Sequence, residues 1–390
     1  MRTRGLLAAV LLVVAFAASA GAQAFKMPRT LAWTAYDVGS AGYIQAASIG
    51  HAMAQKEGLT LRVVPAGNDV SRQAPLAAGR VQFGALGAGA FLSQEGVLDF
   101  GNTDWGPQAV RILGAAWGDF NTGNVAAAGD AGIKTVHDLK GKRVAWVAGA
   151  PALNSNMEAF LACANLGWKD VKKVDFPSWG ASARAVIEGT ADAFIASTNS
   201  GLVYELAASP RKYVAPVVPS PKEDPGCWQR LRKVAPQFEY HVASVGAGTI
   251  SKENPHKGAT YGYPIVTTYA TQSADLVYHQ TRMIYDLLPD YVNAHPGNAG
   301  FALDKQNLTW VMPYHEGAIR YFKEKGVWGA QQQKHNDQLV RRQEVLQKAW
   351  DRAIGLASEK KVKVKDFTTH WMGIRAAALK EAGLEAYWTE

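Results

Sequence analysis

The amino-acid sequence predicts an α/β protein of two units followed by a helical region. Three observations carry this reading: short β-type runs alternate with helical stretches after residue 25, the alternation restarts near residue 130, and helices dominate from Ser273 onward. With 390 residues, 48% of them hydrophobic and 19% charged, the chain has ample material for buried cores and is too apolar for a disordered polymer. At roughly 100–200 residues per domain, two or three domains are expected.

In the first unit, Leu31 to Ala35 predicts a strand, a glycine-containing turn spans Asp37 to Gly42, and a helix runs from about Tyr43 to Lys56. Leu59 to Val64 is the second strand. Gly67-Asn68-Asp69 supplies a tight turn and an N-cap for a helix reaching about Ala78. Val81 to Leu86 is the third strand and ends in Gly87-Ala88-Gly89. Each strand runs into small and polar residues before the next helix, and in open α/β sheets ligands gather outside those carboxyl ends.

In the second unit, Ile133 to Gly141 leads to a strand at Arg143 to Val147, and Gly149 to Asn156 opens a helix. Ala191 to Ala196 is apolar apart from Asp192. The polar turn Ser197 to Gly201 then precedes a helix bearing Leu202, Leu206 and Ala207. Proline is dense between 210 and 236, which places a return crossing to the first unit there or just after it. Tyr263 to Tyr269 is one more strand. From about Gln338 to Ala357, Leu339, Val345, Leu346, Trp350 and Ile354 recur at helical spacing, with Lys and Glu covering the rest.

The N-terminus carries Arg2 and Arg4, an uncharged apolar stretch from Gly5 to Ala20, and Ala22-Gln23-Ala24. This reads as a secretory signal peptide over 1–24, cleaved before Phe25, with an uncleaved anchor as the alternative. No cysteine follows the apolar stretch to take a lipid, and no later segment is apolar for long enough to span a bilayer. The mature chain is therefore expected in the periplasm and not in the membrane. Without Arg2 and Arg4 the formal charge of +8 becomes +6, 39 basic against 33 acidic residues, and no basic run supports nucleic acid as a partner. In an oxidising compartment Cys163 and Cys227 can pair; a buried thiol at Cys163 is the alternative.

Enzyme motifs are absent. No G-x-S-x-G or P-loop occurs, His315-Glu316 lacks the second histidine of a helical zinc site, and the nine histidines show no ligand spacing. No catalytic residue, metal or cofactor is expected. What recurs is a polar or glycine-rich turn before a helix, at 37–43, 67–71, 87–89, 152–156 and 197–201. The first amides of a helix lack internal partners and carry partial positive charge, so converging helix starts can hold an anion, each contributing ~0.3–1 kcal/mol when exposed. Capping explains each turn alone. Five such turns in two α/β units point to a small ligand in the cleft between them.

Five segments carry a family resemblance: GSAGY (Gly39 to Tyr43), RILGAAW (Arg111 to Trp117), GIKTVHDLKGKRV (Gly132 to Val144), EGTADAF (Glu188 to Phe194) and, most specifically, YHEGAIRYFKEKG (Tyr314 to Gly326). In this order and spacing they resemble the TAXI family of solute receptors for TRAP transporters, from about Leu31 to Trp328. The resemblance implies a two-domain periplasmic binding protein of type II, a venus flytrap. Domain one would span 25–128 and 250–390, with added C-terminal helices from about 329, and domain two 129–249. It also implies capture of a small organic acid between the domains and delivery to the membrane component of a TRAP transporter. A receptor for an ATP-driven importer is the first alternative, a secreted enzyme on the same scaffold the second.

Departures from the family pattern bear on the ligand. Gly42 takes the place of the family's first tyrosine while Tyr43 keeps the second, and Asp69 stands where the family has serine. Asp69 either caps its own helix or attracts an amine. Tyr43, Trp117 and Trp179 are the candidate aromatic walls. Asn68, Ser155, Thr198 and Asn199 are candidates for hydrogen bonds to the ligand, and Asp69, Asn154 and the strand-end residues Gly87 and Ala88 complete the expected site. Arg72 and Arg184 are candidate carboxylate clamps, or else solvated helix residues.

Overall fold

A computed structural model describes residues 25–388, so the leader read at 1–24 lies outside the described residues. Strand and helix alternate from the start. β1 (Thr30–Ala35) leads to α1 (Ala41–Glu57), which begins where the Ser40 hydroxyl accepts the Tyr43 N–H and ends at a left-handed Gly58. β2 (Thr60–Pro65), α2 (Asp69–Ala77), β3 (Phe83–Leu86), α3 (Gly89–Glu95) and β4 (Val110–Ala115) follow. The chain then builds a second sheet with β5 (Asn124–Ala128), β6 (Arg143–Val147), α4 (Pro151–Cys163), β7 (Lys172–Phe176), α5 (Trp179–Glu188), β8 (Ala193–Ala196), α6 (Gly201–Ala208) and β9 (Tyr213–Val214). After α7 (Pro225–Val234), the antiparallel pair β10 (Glu239–Ala243) and β11 (His256–Thr260) leads to β12 (Ile265–Tyr269) in the first sheet. α8 (Ala274–Asp286), α9 (Leu288–Tyr291), α10 (Glu316–Glu324), α11 (Ala330–Glu359) and α12 (Val364–Glu381) complete the chain.

The two sheets share one plan. Their orders are β2-β1-β3-β12-β4 and β7-β6-β8-β5-β9. In each, the first three strands are parallel and the fourth position holds an antiparallel strand. That strand arrives from the other sheet: β5 follows β4, and β12 follows the second unit. Two crossings, 116–123 and 261–264, therefore tie together what we call lobe one and lobe two. The return comes after the proline-dense 210–236, which carries β9 and α7. β3 and β8 are buried at every residue, as sheets covered on both faces require. This is the expected α/β, venus-flytrap fold class, with the added C-terminal helices in place.

α11 and α12 form a hairpin around Leu346, Trp350, Phe367, Trp371 and Leu379. One buried acid docks it on lobe one. Glu95, the last residue of α3, binds Arg342 through both carboxylate oxygens at 2.7 Å and Arg375 at 2.5 Å, and the Trp371 indole N–H donates to the Gly96 carbonyl at 2.6 Å. Burial alone would raise the Glu95 pKa; Arg342 and Arg375 outweigh it and hold the carboxyl below its ordinary value. The same arginines hold the chain end, Arg342 donating to the Glu385 carbonyl and Arg375 to that of Tyr387, and Trp388 reaches lobe two to donate to the Val234 carbonyl. In lobe two, Cys163 and Cys227 are joined, which decides between the two readings of these cysteines and staples α4 to α7.

Glu95→Gln would strand two buried arginines, and its expected cost near neutral pH is about 3–5 kcal/mol. A carboxyl with a lowered folded pKa stabilises fully above its unfolded value, about 4.3, and loses that contribution as pH falls through the folded value. Thermal melts of wild type and Glu95→Gln should therefore converge as pH falls from about 7 toward 3. A gap that stays constant would show that the charge on Glu95 is not what holds the hairpin.

Candidate functional site: the interlobe cleft

Helix starts from both lobes meet along one seam. Across it the Val70 N–H donates to the Gly149 carbonyl (3.1 Å), the Trp179 N–H to Gly67 (2.9 Å) and the Leu202 N–H to Gly39 (3.4 Å). Two carboxylates join them: Asp37 accepts the Gly180 N–H at 2.9 Å, and Asp69 accepts the Ala152 N–H at 2.8 Å. The approach is close enough to require glycine at 67, where a Cβ would stand 2.6 Å from the Ser178 side chain. The turns that recur in the sequence are thus brought together.

Asp69 lies at the centre of this seam. Of the two readings of Asp69, the one in which it caps its own helix is corrected, because Asn68 does so, its side chain accepting the Ser71 N–H at 2.8 Å while its amide lies against Gly149. The Asp69 carboxylate turns across the cleft instead. One oxygen accepts the Tyr36 hydroxyl (2.6 Å) and Arg72 (2.5 Å), the other the Ala152 N–H. Arg72 is likewise no solvated residue: it is 1% exposed, lies 3.2 Å from the Tyr36 ring centroid and donates to the Ala85 carbonyl. Residues three apart share a helix face, so the two charges that leave α2 on this side must meet. Burial, partly offset by Arg72, keeps the Tyr36 hydroxyl well above its ordinary pKa and hence a donor. Arg184 lies exposed, 3.8 Å from Glu205.

The gap left by Gly42 is filled from elsewhere. The Tyr263 hydroxyl, from the return crossing, stands 2.6 Å from where a Cβ on Gly42 would be. Gly87 lies beside the Tyr263 ring and the Tyr261 hydroxyl, and Ala88 is buried just past β3. Tyr43 is half-buried in the first turn of α1.

Several expected hydrogen-bonders are already engaged by backbone groups of the protein. Asn154 binds both the N–H and the carbonyl of Val147, and the Ser155 hydroxyl donates to Ala152. Thr198 donates to Val245 and accepts from Asn121. Trp179 is buried against Tyr36 and donates to Ile195. Trp117 lies against Gly262 of the return crossing, edge-on to Trp310. Short polar side chains beside buried turns serve the nearest backbone groups first.

Asn199 differs. Its amide nitrogen and oxygen are buried without partners, and so are those of Gln45 on α1 of the opposite lobe; both residues are 0% exposed. A Cβ on Gly297 would stand 2.7 Å from the Asn199 amide nitrogen and 2.8 Å from that of Gln45, so the two amides converge there. His295 fixes the backbone of this corner. Its Nδ1 accepts the Gly297 N–H, which leaves Nε2 to donate to the Asn199 carbonyl at 3.0 Å. Sequence reasoning missed Gln45, although a signal exists: it falls in register with Ala41 and Ile49 on the buried face of α1, where a polar residue is out of place.

Beside the seam a groove of about 1060 Å³ opens between the lobes, with Asn154, Ser155, Trp146 and Trp228 on one side and Asp99 and Trp388 on the other. Among the described residues no group of three or more His, Cys, Asp or Glu side chains could hold a metal, and no helix is long and apolar enough to cross a membrane.

The two arginines predict opposite outcomes. Arg72→Met strands the buried Asp69 carboxylate and should cost about 3–5 kcal/mol in urea unfolding, whereas Arg184→Met should stay within about 0.5 kcal/mol. Equal effects would mean that the Asp69–Arg72 pair does not hold the cleft.

Comparison with known proteins identifies the family of this chain. Among solved structures, a periplasmic binding protein of an ABC transporter from Brucella ovis, with glutathione bound, is 13% identical over 67% of this chain and 68% of its own, with a TM-score of 0.43. The alkanesulfonate-binding protein SsuA from Xanthomonas axonopodis pv. citri, bound to MOPS, is 12% identical over 78% of this chain and 96% of its own, with a TM-score of 0.40. The amino acid ABC transporter substrate-binding protein AbpA from Streptococcus pneumoniae, bound to L-arginine, is 11% identical over 80% and 95%, with a TM-score of 0.36. The NMT1-like family matches residues 36–326, from the end of β1 to the turn after α10, and the chain belongs to that family.

Proposed function

We propose that the protein is an extracytoplasmic solute receptor that encloses a small organic acid between its lobes and hands it to a TRAP-type membrane transporter. The observation that carries this reading is the pair of buried, unpartnered amides, Gln45 and Asn199, contributed by opposite lobes. A buried polar group without a partner costs about 1–3 kcal/mol, so both side chains favour a guest that hydrogen-bonds them. Such a guest meets both only when the lobes are together, which is the condition for ligand-stabilised closure. Amide N–H groups suit the oxygens of a carboxylate. The acid and the transporter class rest on the TAXI-like segments, above all Tyr314 to Gly326, and the extracytoplasmic location on the leader-type first 24 residues. The work is binding and release, with no covalent step.

The test is thermal unfolding of mature protein, refolded to remove carried solute, against a panel of dicarboxylates, 2-oxo acids, aromatic acids, amino acids and amines. At about 100 times its dissociation constant a solute adds ~2.7 kcal/mol, enough to move the midpoint by degrees. One class of acids should do so. Gln45→Leu and Asn199→Leu should melt no lower than wild type without solute, because each removes an unpaired buried amide, and should lose the solute shift. Variants that keep the full shift, or a folded wild type that answers to no acid, would overturn the assignment.

A further inference from the structure

The helix starts of lobe two are capped from the other lobe. α4 begins at Ala150-Pro151, where no side chain of its own caps it and proline brings no N–H. Its Ala152 N–H instead goes to Asp69 of lobe one at 2.8 Å. At α5 the Ser178 hydroxyl serves the Ala181 N–H, while the Trp179 N–H goes to the Gly67 carbonyl and the Gly180 N–H to Asp37, both on lobe one. Helix starts favour anions through both hydrogen bonds and partial charge. Here two carboxylates of the protein take those places.

We infer that Asp37 and Asp69 are interlobe caps that hold the lobes together without a solute and set the charge specificity of the cleft. A solute anion that sought the start of α4 or α5 would have to displace a tethered carboxylate. Asp69 is the stronger obstacle, because Tyr36 and Arg72 fix it from behind. Recognition of the solute is thereby left to groups that the protein does not satisfy itself, Gln45 and Asn199. The inference rests on the receptor reading for its biological sense, but its test needs no solute.

Distance distributions between spin labels on the exposed faces of the two lobes, with small-angle scattering, are measured on refolded, solute-free protein. Asp69→Asn also disturbs the buried Arg72, so two variants that leave that pair intact carry the test. Asp37→Ala removes the acceptor at α5, and Ala152→Pro, one residue past the proline that already opens α4, removes the donor there. Both are checked for cooperative unfolding. Wild type should show one short interlobe distance, each variant a shift to longer distances, and the double variant the largest shift. Variants with the wild-type distance, or a wild type already as open as the double variant, would overturn the inference whatever the solute panel shows.

Discussion

An α-helix starts with amides that need acceptors, and α4 starts where the sequence supplies none. The rest of the seam follows from the way Asp69 meets that need. To reach Ala152 the carboxylate must leave its own helix, and Asn68 takes over the capping of α2. A buried carboxylate needs a counter-charge, which Arg72 supplies one turn along the same face. The guanidinium in turn needs cover, and the Tyr36 ring provides it while its hydroxyl returns to Asp69. Three side chains and one amide form a unit whose last member belongs to the other lobe.

The same solution recurs at the far end of the chain. Glu95 is a second buried acid, paired with two arginines, and their spare N–H groups hold the carbonyls of Glu385 and Tyr387. The tail that they fix ends at Trp388, which touches lobe two through Val234. The helical addition is thus more than a lid on lobe one: a contact chain runs from the buried end of α3 to α7, along the edge of the interlobe groove. Lobe contact is anchored by buried ionic groups at two separated places.

Much of this was legible in the sequence, and the boundary of legibility has a physical cause. Strands and helix starts were readable because backbone demands are local: Gly58 ends α1 and Asn68 begins α2 by rules that need no partner. The turns of the cleft could be found for the same reason. What each polar side chain does in that cleft depends on the chain opposite. Asn154 and Thr198 look like ligand contacts in one dimension and brace loops in three, while Arg72, which reads more readily as a solvated residue than as a clamp, is sealed under Tyr36. The most distinctive motif, Tyr314 to Gly326, builds α10, where His315 caps the helix and Arg320 pairs with Asp275. It marks the fold and lies in lobe one's scaffold, so it could not have located the site.

Gln45 shows what a sequence reading can still extract. Its position breaks the apolar face of α1, and such a break is neutral only if the group finds a partner on the far side. Asn199 meets it there from a polar turn, so neither residue is informative alone. On the receptor reading proposed above, together they separate two duties that the cleft must combine. The carboxylates of Asp37 and Asp69 satisfy helix starts of the opposite lobe. The amides of Gln45 and Asn199 leave a hydrogen-bonding demand that contact between the lobes does not itself meet, and on that receptor reading the difference is where a solute would act, because a ligand shifts a two-state equilibrium only by contacts it makes better in one state than in the other.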